Sequence, residues 1–90
     1  HEALKNIAVE KVESRIASML IKLADKAGSK TDGSVTIDMK LTKQDIAEMV
    51  GTTVETSIRT MSKFKKLGIV SEKSGKITIK DINKLKALCG

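Results

Sequence analysis

Apolar residues recur at spacings of three and four early in the chain: Val12, Ile16, Met19, Leu20, Leu23, Ala24 and Ala27, with Glu10, Lys11, Arg15, Lys22 and Asp25 between them. That periodicity predicts an amphipathic helix over about residues 9–27. Leu4, Ile7 and Ala8 predict an apolar turn before it. Gly28 begins GSKTDGS, a polar run with two glycines and no apolar side chain, which reads as the end of the helix and a loop. From Val35 the period changes to two. Val35, Ile37, Met39 and Leu41 alternate with Thr36, Asp38 and Lys40, the pattern of a half-buried strand.

The stretch LTKQDIAEMVGTTVETSIRTMSKFKKLG, residues 41–68, then reads as two helices joined by a tight turn. Thr42 precedes the first, and its hydroxyl suits an orphan amide while Asp45 occupies the positive first turn. Gly51 follows the last apolar residue, where only a side chain without a Cβ enters the left-handed conformation cheaply. Thr52 or Thr53 caps the second helix, in which Met61, Phe64, Leu67 and Gly68 share one face and Glu55, Arg59, Lys63 and Lys66 another. Ala47 and Gly51 fall where the two helices should touch. This is a helix-turn-helix pattern.

Ile69-Val70-Ser71, a polar turn over residues 72–76 and Ile77-Thr78-Ile79-Lys80 make a β-hairpin directly behind the second helix, the position of a wing. Asp81 caps a last short helix with Ile82, Leu85 and Leu88 on its apolar side. The expected fold is mainly α with a small antiparallel sheet, a winged helix-turn-helix, in one domain spanning residues 1–90. A chain of this length buries only roughly 60 to 65% of its unfolded surface, so the core is expected to be small.

Charge narrows the partner. The formal net charge is +6. Residues 1–45 carry 8 basic and 7 acidic groups, whereas residues 46–90 carry 9 and 4. The positive field therefore lies on the half with the second helix and the wing, which favours a polyanion over an acidic small molecule. Catalysis finds little support, because the one histidine is His1 at the terminus and the one cysteine, Cys89, has no histidine to activate it. No phosphate-loop, dinucleotide or multi-cysteine metal motif occurs, and no cofactor is expected. Phe64 is the sole aromatic and falls on the core side, so duplex DNA is a better substrate than single strands or RNA loops. With no apolar run of about eighteen residues and no signal peptide, a cytoplasmic location is expected.

Val54-Glu55-Thr56-Ser57-Ile58-Arg59 resembles the E-T-x-x-R recognition helix of the Crp/Fnr family of bacterial transcription regulators. VEKVESRIASMLIKLADKAG at one end and GKITIKDINKLKAL at the other are similar to the segments that flank that family's DNA-binding domain, so the resemblance covers nearly the whole chain. It implies that the chain is the DNA-binding part of a longer regulator, without the sensory and dimerisation parts and with His1 as a remnant. It also implies a recognition helix over about residues 53–67 in the major groove, and a wing over about residues 69–80 on the backbone. The intact protein would be a homodimer on a palindromic site, one half-site per copy, with RNA polymerase as a further partner.

The resemblance implies that Glu55 and Arg59 read bases. They lie one helical turn apart; the arginine fork suits guanine O6 and N7, and the glutamate accepts from cytosine N4. The structural alternatives are a capping box, Thr52-x-x-Glu55, and an ion pair between Arg59 and Glu55. Val54 stands where the cyclic-AMP receptor protein has an arginine, which is similar to the Fnr branch and suits a thymine methyl. Ile58 either touches another methyl or packs at the helix edge. Ser57 and Thr60 replace larger apolar groups, so the second helix is expected to sit closer or rotated. Thr42, Lys43, Thr53, Thr56, Lys73 and Lys76 match or adjoin positions that hold phosphates. The rival reading is a winged helix used for protein–protein contact.

Overall fold

The computed structural model describes residues 2–89, with side chains from residue 11 onward. Helix α1 runs over Glu2–Ala27. Leu4, Ile7 and Ala8 belong to this helix and form no separate turn. The directions of their side chains, like His1 as a whole, lie outside the described residues. Strands β1 (Gly28–Thr31) and β2 (Ser34–Ile37) follow, then helices α2 (Lys43–Val50) and α3 (Val54–Lys66), strands β3 (Val70–Lys73) and β4 (Lys76–Ile79), and helix α4 (Ile82–Ala87). The four strands form one antiparallel sheet in the order β1-β2-β4-β3.

Strand β1 corrects the expectation of a loop over residues 28–34. All four of its residues are exposed, so no hydrophobic alternation marks it. What makes it a strand is the turn. Asp32 and Gly33 both have positive φ, 49° and 82°, between the paired residues Thr31 and Ser34. A two-residue turn of that kind matches the twist of its flanking strands, and Asp-Gly supplies it at low cost. The wing repeats the device with Ser74 (φ 54°) and Gly75 (φ 80°) between Lys73 and Lys76. The wing turn is therefore two residues long, shorter than the expected residues 72–76.

The alternation from Val35 to Leu41 is likewise only partly strand. β2 ends at Ile37, where the Asp38 amide donates to the Ala27 carbonyl at 2.7 Å. Met39 is 40% exposed. Leu41 is buried, but its amide bonds to the Gly75 carbonyl at 3.0 Å and so joins the approach to α2 to the wing turn. Across the sheet, the Thr36 and Thr78 hydroxyls pair at 2.8 Å.

The core gathers one stripe from each helix and one face of the sheet: Ile16 and Leu20 from α1, Ile46 and Val50 from α2, Met61 and Phe64 from α3, Ile77 and Ile79 from β4, and Leu85 from α4. Each side chain so buried contributes about 1.5 to 3 kcal/mol. Leu67 was expected in this set and is instead 49% exposed. It caps α3. The next residue, Gly68, turns left-handed at φ 73°, and the Ile69 amide reaches back to the Phe64 carbonyl at 3.0 Å. This closure sends Ile69 inward and leaves Leu67 outside.

Gly51 ends α2 as the sequence predicts, at φ 76° and ψ 43°. An added Cβ there would have room, meeting only an Arg15 guanidinium nitrogen at 3.5 Å. Its requirement is conformational. Gly28 is the opposite case: a Cβ there would lie 2.2 Å from the Ala24 carbonyl oxygen and 2.6 Å from Val35 Cγ1. Gly51→Ala should therefore cost about 1 to 2 kcal/mol, the usual left-handed penalty, and Gly28→Ala should cost more because backbone must move. Urea unfolding midpoints are expected to fall in the order wild type, Gly51→Ala, Gly28→Ala; a Gly28→Ala midpoint at the wild-type value would disprove the tight α1–β1 junction.

Candidate nucleic-acid interface

The two helices of the 41–68 segment start on different caps. At α2 the Thr42 hydroxyl accepts from the Asp45 amide at 3.0 Å and the Asp45 carboxylate accepts from the Thr42 amide at 2.9 Å, a reciprocal capping box. At α3 the cap is Thr53, whose hydroxyl accepts from the Thr56 amide at 3.2 Å and donates to the Thr56 hydroxyl at 3.0 Å. The alternative box between Thr52 and Glu55 does not form. With Thr53 as cap, the third helical residue is Thr56, and Glu55 is one position short of the geometry.

Glu55 is therefore left without a cap role. Among the described residues neither Glu55 nor Arg59 has a side-chain hydrogen bond or ion pair, so the alternative of a pair between them is also absent. Val54 is 37% exposed and Ile58 46% exposed, and Glu55 and Arg59 are exposed beside them. Positions 54, 55, 58 and 59 are neighbours at helical spacing, which makes one outward stripe of two apolar and two charged groups.

The opposite side of α3 is fixed by packing and by a buried hydroxyl. Ser57 is fully buried, and its Oγ lies 2.7 Å from the Lys43 carbonyl, to which it donates, and 3.2 Å from the Val54 carbonyl. A residue that reads in sequence as merely small thus joins the second helix to the first residue of α2. Thr60 is buried beside it.

Three consecutive residues of α1 each hold a different helix, and the sequence pattern singled out none of them for this. Lys63 of α3 donates to both oxygens of the buried Glu13 carboxylate at 2.8 Å. Ser14 donates to the Cys89 carbonyl just past α4, at 2.7 Å. Arg15 donates to the Val50 carbonyl, at the negative end of α2. Each link joins residues 35 or more positions apart, beyond the reach of local periodicity.

The expected phosphate contacts fall into two groups. Thr42, Thr53 and Thr56 are tied into caps, and Lys43 is only 26% exposed, with its ammonium 2.6 Å from Glu72 on β3. Lys73 and Lys76 flank the wing turn and have no side-chain partner among the described residues. Glu72 also lies 3.1 Å from the Lys65 ammonium through Oε1, close enough for an ion pair though without hydrogen-bond geometry at that oxygen. Burial pushes the Glu72 carboxyl up, but the Lys43 hydrogen bond and the two ammonium charges of Lys43 and Lys65 outweigh it and hold the carboxyl below the usual glutamate value.

The sequence profile of the Crp-like helix-turn-helix domain matches residues 14–88. The chain belongs to this family, within the Crp/Fnr regulators of bacteria. It is 33% identical over 78 residues to an anaerobic regulatory protein of Haemophilus influenzae, covering 87% of this chain and 30% of that protein. It is 31% identical over 78 residues to the nitrogen fixation regulation protein FixK of Azorhizobium caulinodans, covering 84% of this chain and 32% of the relative. Among solved structures, the CO-dependent transcription factor CooA from Carboxydothermus hydrogenoformans superposes with a TM-score of 0.86 at 27% identity, covering 98% of this chain and 41% of that one. The chain spans about a third of the length of the relatives it matches. The Crp-like domain supplies the helix-turn-helix with its DNA-binding role, and the wing and four-stranded sheet agree with that fold. No described helix is long and apolar enough to cross a membrane.

Two stability predictions follow from the polar links. Lys63→Ala strands the buried Glu13 carboxylate, so it should cost about 1 to 3 kcal/mol, less than a fully buried pair because Lys63 itself is half exposed. Lys66→Ala should cost under about 0.5 kcal/mol; equal urea midpoints for the two variants would show that the Glu13 link contributes nothing. The Glu72 carboxyl, lowered in the folded state, adds stability that is fully present above its unfolded value of about 4.3. That stability is lost as pH falls through the folded value. Acid titration followed by circular dichroism should show this loss in wild type and a smaller acid response in Glu72→Gln.

Proposed function

We propose that residues 1–90 are the output domain of a Crp/Fnr-type regulator and bind duplex DNA sequence-specifically, with α3 in the major groove and the β3–β4 wing on the phosphate backbone. The observation that carries this reading is the outward stripe Val54, Glu55, Ile58 and Arg59, whose two charged members have no partner among the described residues. A glutamate on a surface that meets phosphate repels it and needs a specific counterpart; cytosine N4 supplies one. Arg59 takes guanine O6 and N7, while Val54 and Ile58 lie against thymine methyls. The aliphatic Val54 makes the Fnr branch the nearer comparison at this helix.

Phosphate contacts come from Lys73 and Lys76 on the wing and from the capped starts of α2 and α3, where Thr42, Thr53 and Thr56 stand at the positive ends of the helices. Lys43 reaches a phosphate only by leaving Glu72. Each copy engages one half-site, so a palindromic operator requires the dimer expected of the intact protein, and the 90-residue chain alone binds a full site weakly. RNA polymerase is a further partner of that intact regulator.

Selection from a random duplex library tests the reading. The wild-type motif is expected to contain a T-G-A-like core. Arg59→Ala should lose about 1 to 3 kcal/mol on that site and far less on random duplex, and Val54→Arg should shift the first position from T towards G. Lys76→Ala should weaken both duplexes alike and reduce the salt slope by about 1. If wild type, Arg59→Ala and Val54→Arg all select the same motif, this face does not read bases and a protein-contact module takes its place.

A further inference from the structure

Lys43, Glu72 and Lys65 come together from three elements: the first residue of α2, strand β3 of the wing and the last turn of α3. The Lys43 ammonium is 2.6 Å from Glu72 Oε2 and the Lys65 ammonium 3.1 Å from Oε1. Glu72 is only 21% exposed, its Oε1 is buried, and the lysines are 26% and 42% exposed. This is a partly shielded triad, in which two cations share one carboxylate. Lys73 and Lys76, a few residues away on the same hairpin, have no such partner among the described residues.

The contrast matters for a protein that meets a polyanion. The sequence-independent part of duplex binding grows with the number of cations that neutralise phosphates, and each contributes about 0.9 to the slope of log affinity against log salt. A lysine already neutralised by a buried-edge carboxylate must break that pair, and leave the carboxylate uncompensated beside the duplex, before it can contribute. We propose that Glu72 is an internal competitor for phosphate: it withholds Lys43 and Lys65 from the DNA backbone and so lowers the sequence-independent part of duplex affinity. Glu72 acts through the two lysines, as a positioning residue, and the inference rests on the duplex-binding reading above.

Glu72→Gln keeps the size of the side chain and releases both ammonium groups. Fluorescence anisotropy on a random-sequence duplex over a salt series should then give a log–log slope steeper than wild type by about 2, so that raising salt from about 50 to about 200 mM costs the variant roughly tenfold more affinity than wild type. Affinity for the specific and the random duplex should rise alike at low salt. A folded Glu72→Gln protein, by circular dichroism, with an unchanged or shallower slope would overturn the proposal. Should the variant not fold, Lys65→Gln decides: its slope should equal that of wild type, and a slope shallower by about 1 would mean that Lys65 already neutralises a phosphate. If wild type shows no salt-dependent duplex binding at all, the duplex-binding reading itself fails; if wild type binds but the deciding variant does not behave as stated, only the Glu72 proposal fails.

Discussion

Burial of one side of α3 is the constraint on which the rest depends. A helix of 13 residues has no fixed orientation of its own; packing selects which side faces out. Met61 and Phe64 are fully buried in the common core, and Ser57 and Thr60 extend the inner side towards the start of the helix. Once these positions are inside, the 3.6-residue repeat leaves 54, 55, 58 and 59 outside. The outward stripe is thus the complement of the core face. A rotation of α3 that exposed Arg59 differently would also expose Phe64 or bury Glu55.

Polar links refine this orientation. The Ser57 hydroxyl anchors the start of α3 to the first residue of α2, and the Lys63 ammonium anchors its later part to Glu13 of α1. Arg15, two positions from Glu13, holds the end of α2, so a single turn of α1 contacts both helices of the helix-turn-helix. Hydrogen bonds have narrow angular and distance tolerances that apolar contacts lack. They define how the helices are set against α1 more sharply than burial alone would.

The wing is joined to this frame rather than appended to it. Its turn accepts from the Leu41 amide, its inner strand pairs with β2, and Glu72 reaches the start of α2 and the last turn of α3. The hairpin's Glu72 therefore pairs with lysines of α2 and α3, while its own Lys73 and Lys76 have no side-chain partner among the described residues. Lysines that look alike in sequence differ in what they can offer a phosphate, because one set has already been neutralised within the protein.

Local rules made most of the fold legible. The bounds of α2, the Thr42 cap with Asp45, the left-handed Gly51, the wing hairpin and the Asp81 cap all follow from residue types at fixed short offsets, where the physics is that of a single turn. Strand β1 is marked in sequence only by its Asp32-Gly33 turn, because its polar, fully exposed residues show no hydrophobic alternation. The stripe on α3 could be listed from periodicity and from its resemblance to a known helix. The tertiary structure alone decided that Thr53 and not Thr52 is the cap, that Leu67 lies outside, and that Glu13, Arg15, Ser57 and Glu72 are partners of distant groups. Periodicity reports which side of an element is apolar, over a few residues. Whether a given charge is free or paired depends on which elements meet, and that is determined only when the whole chain has closed around its core.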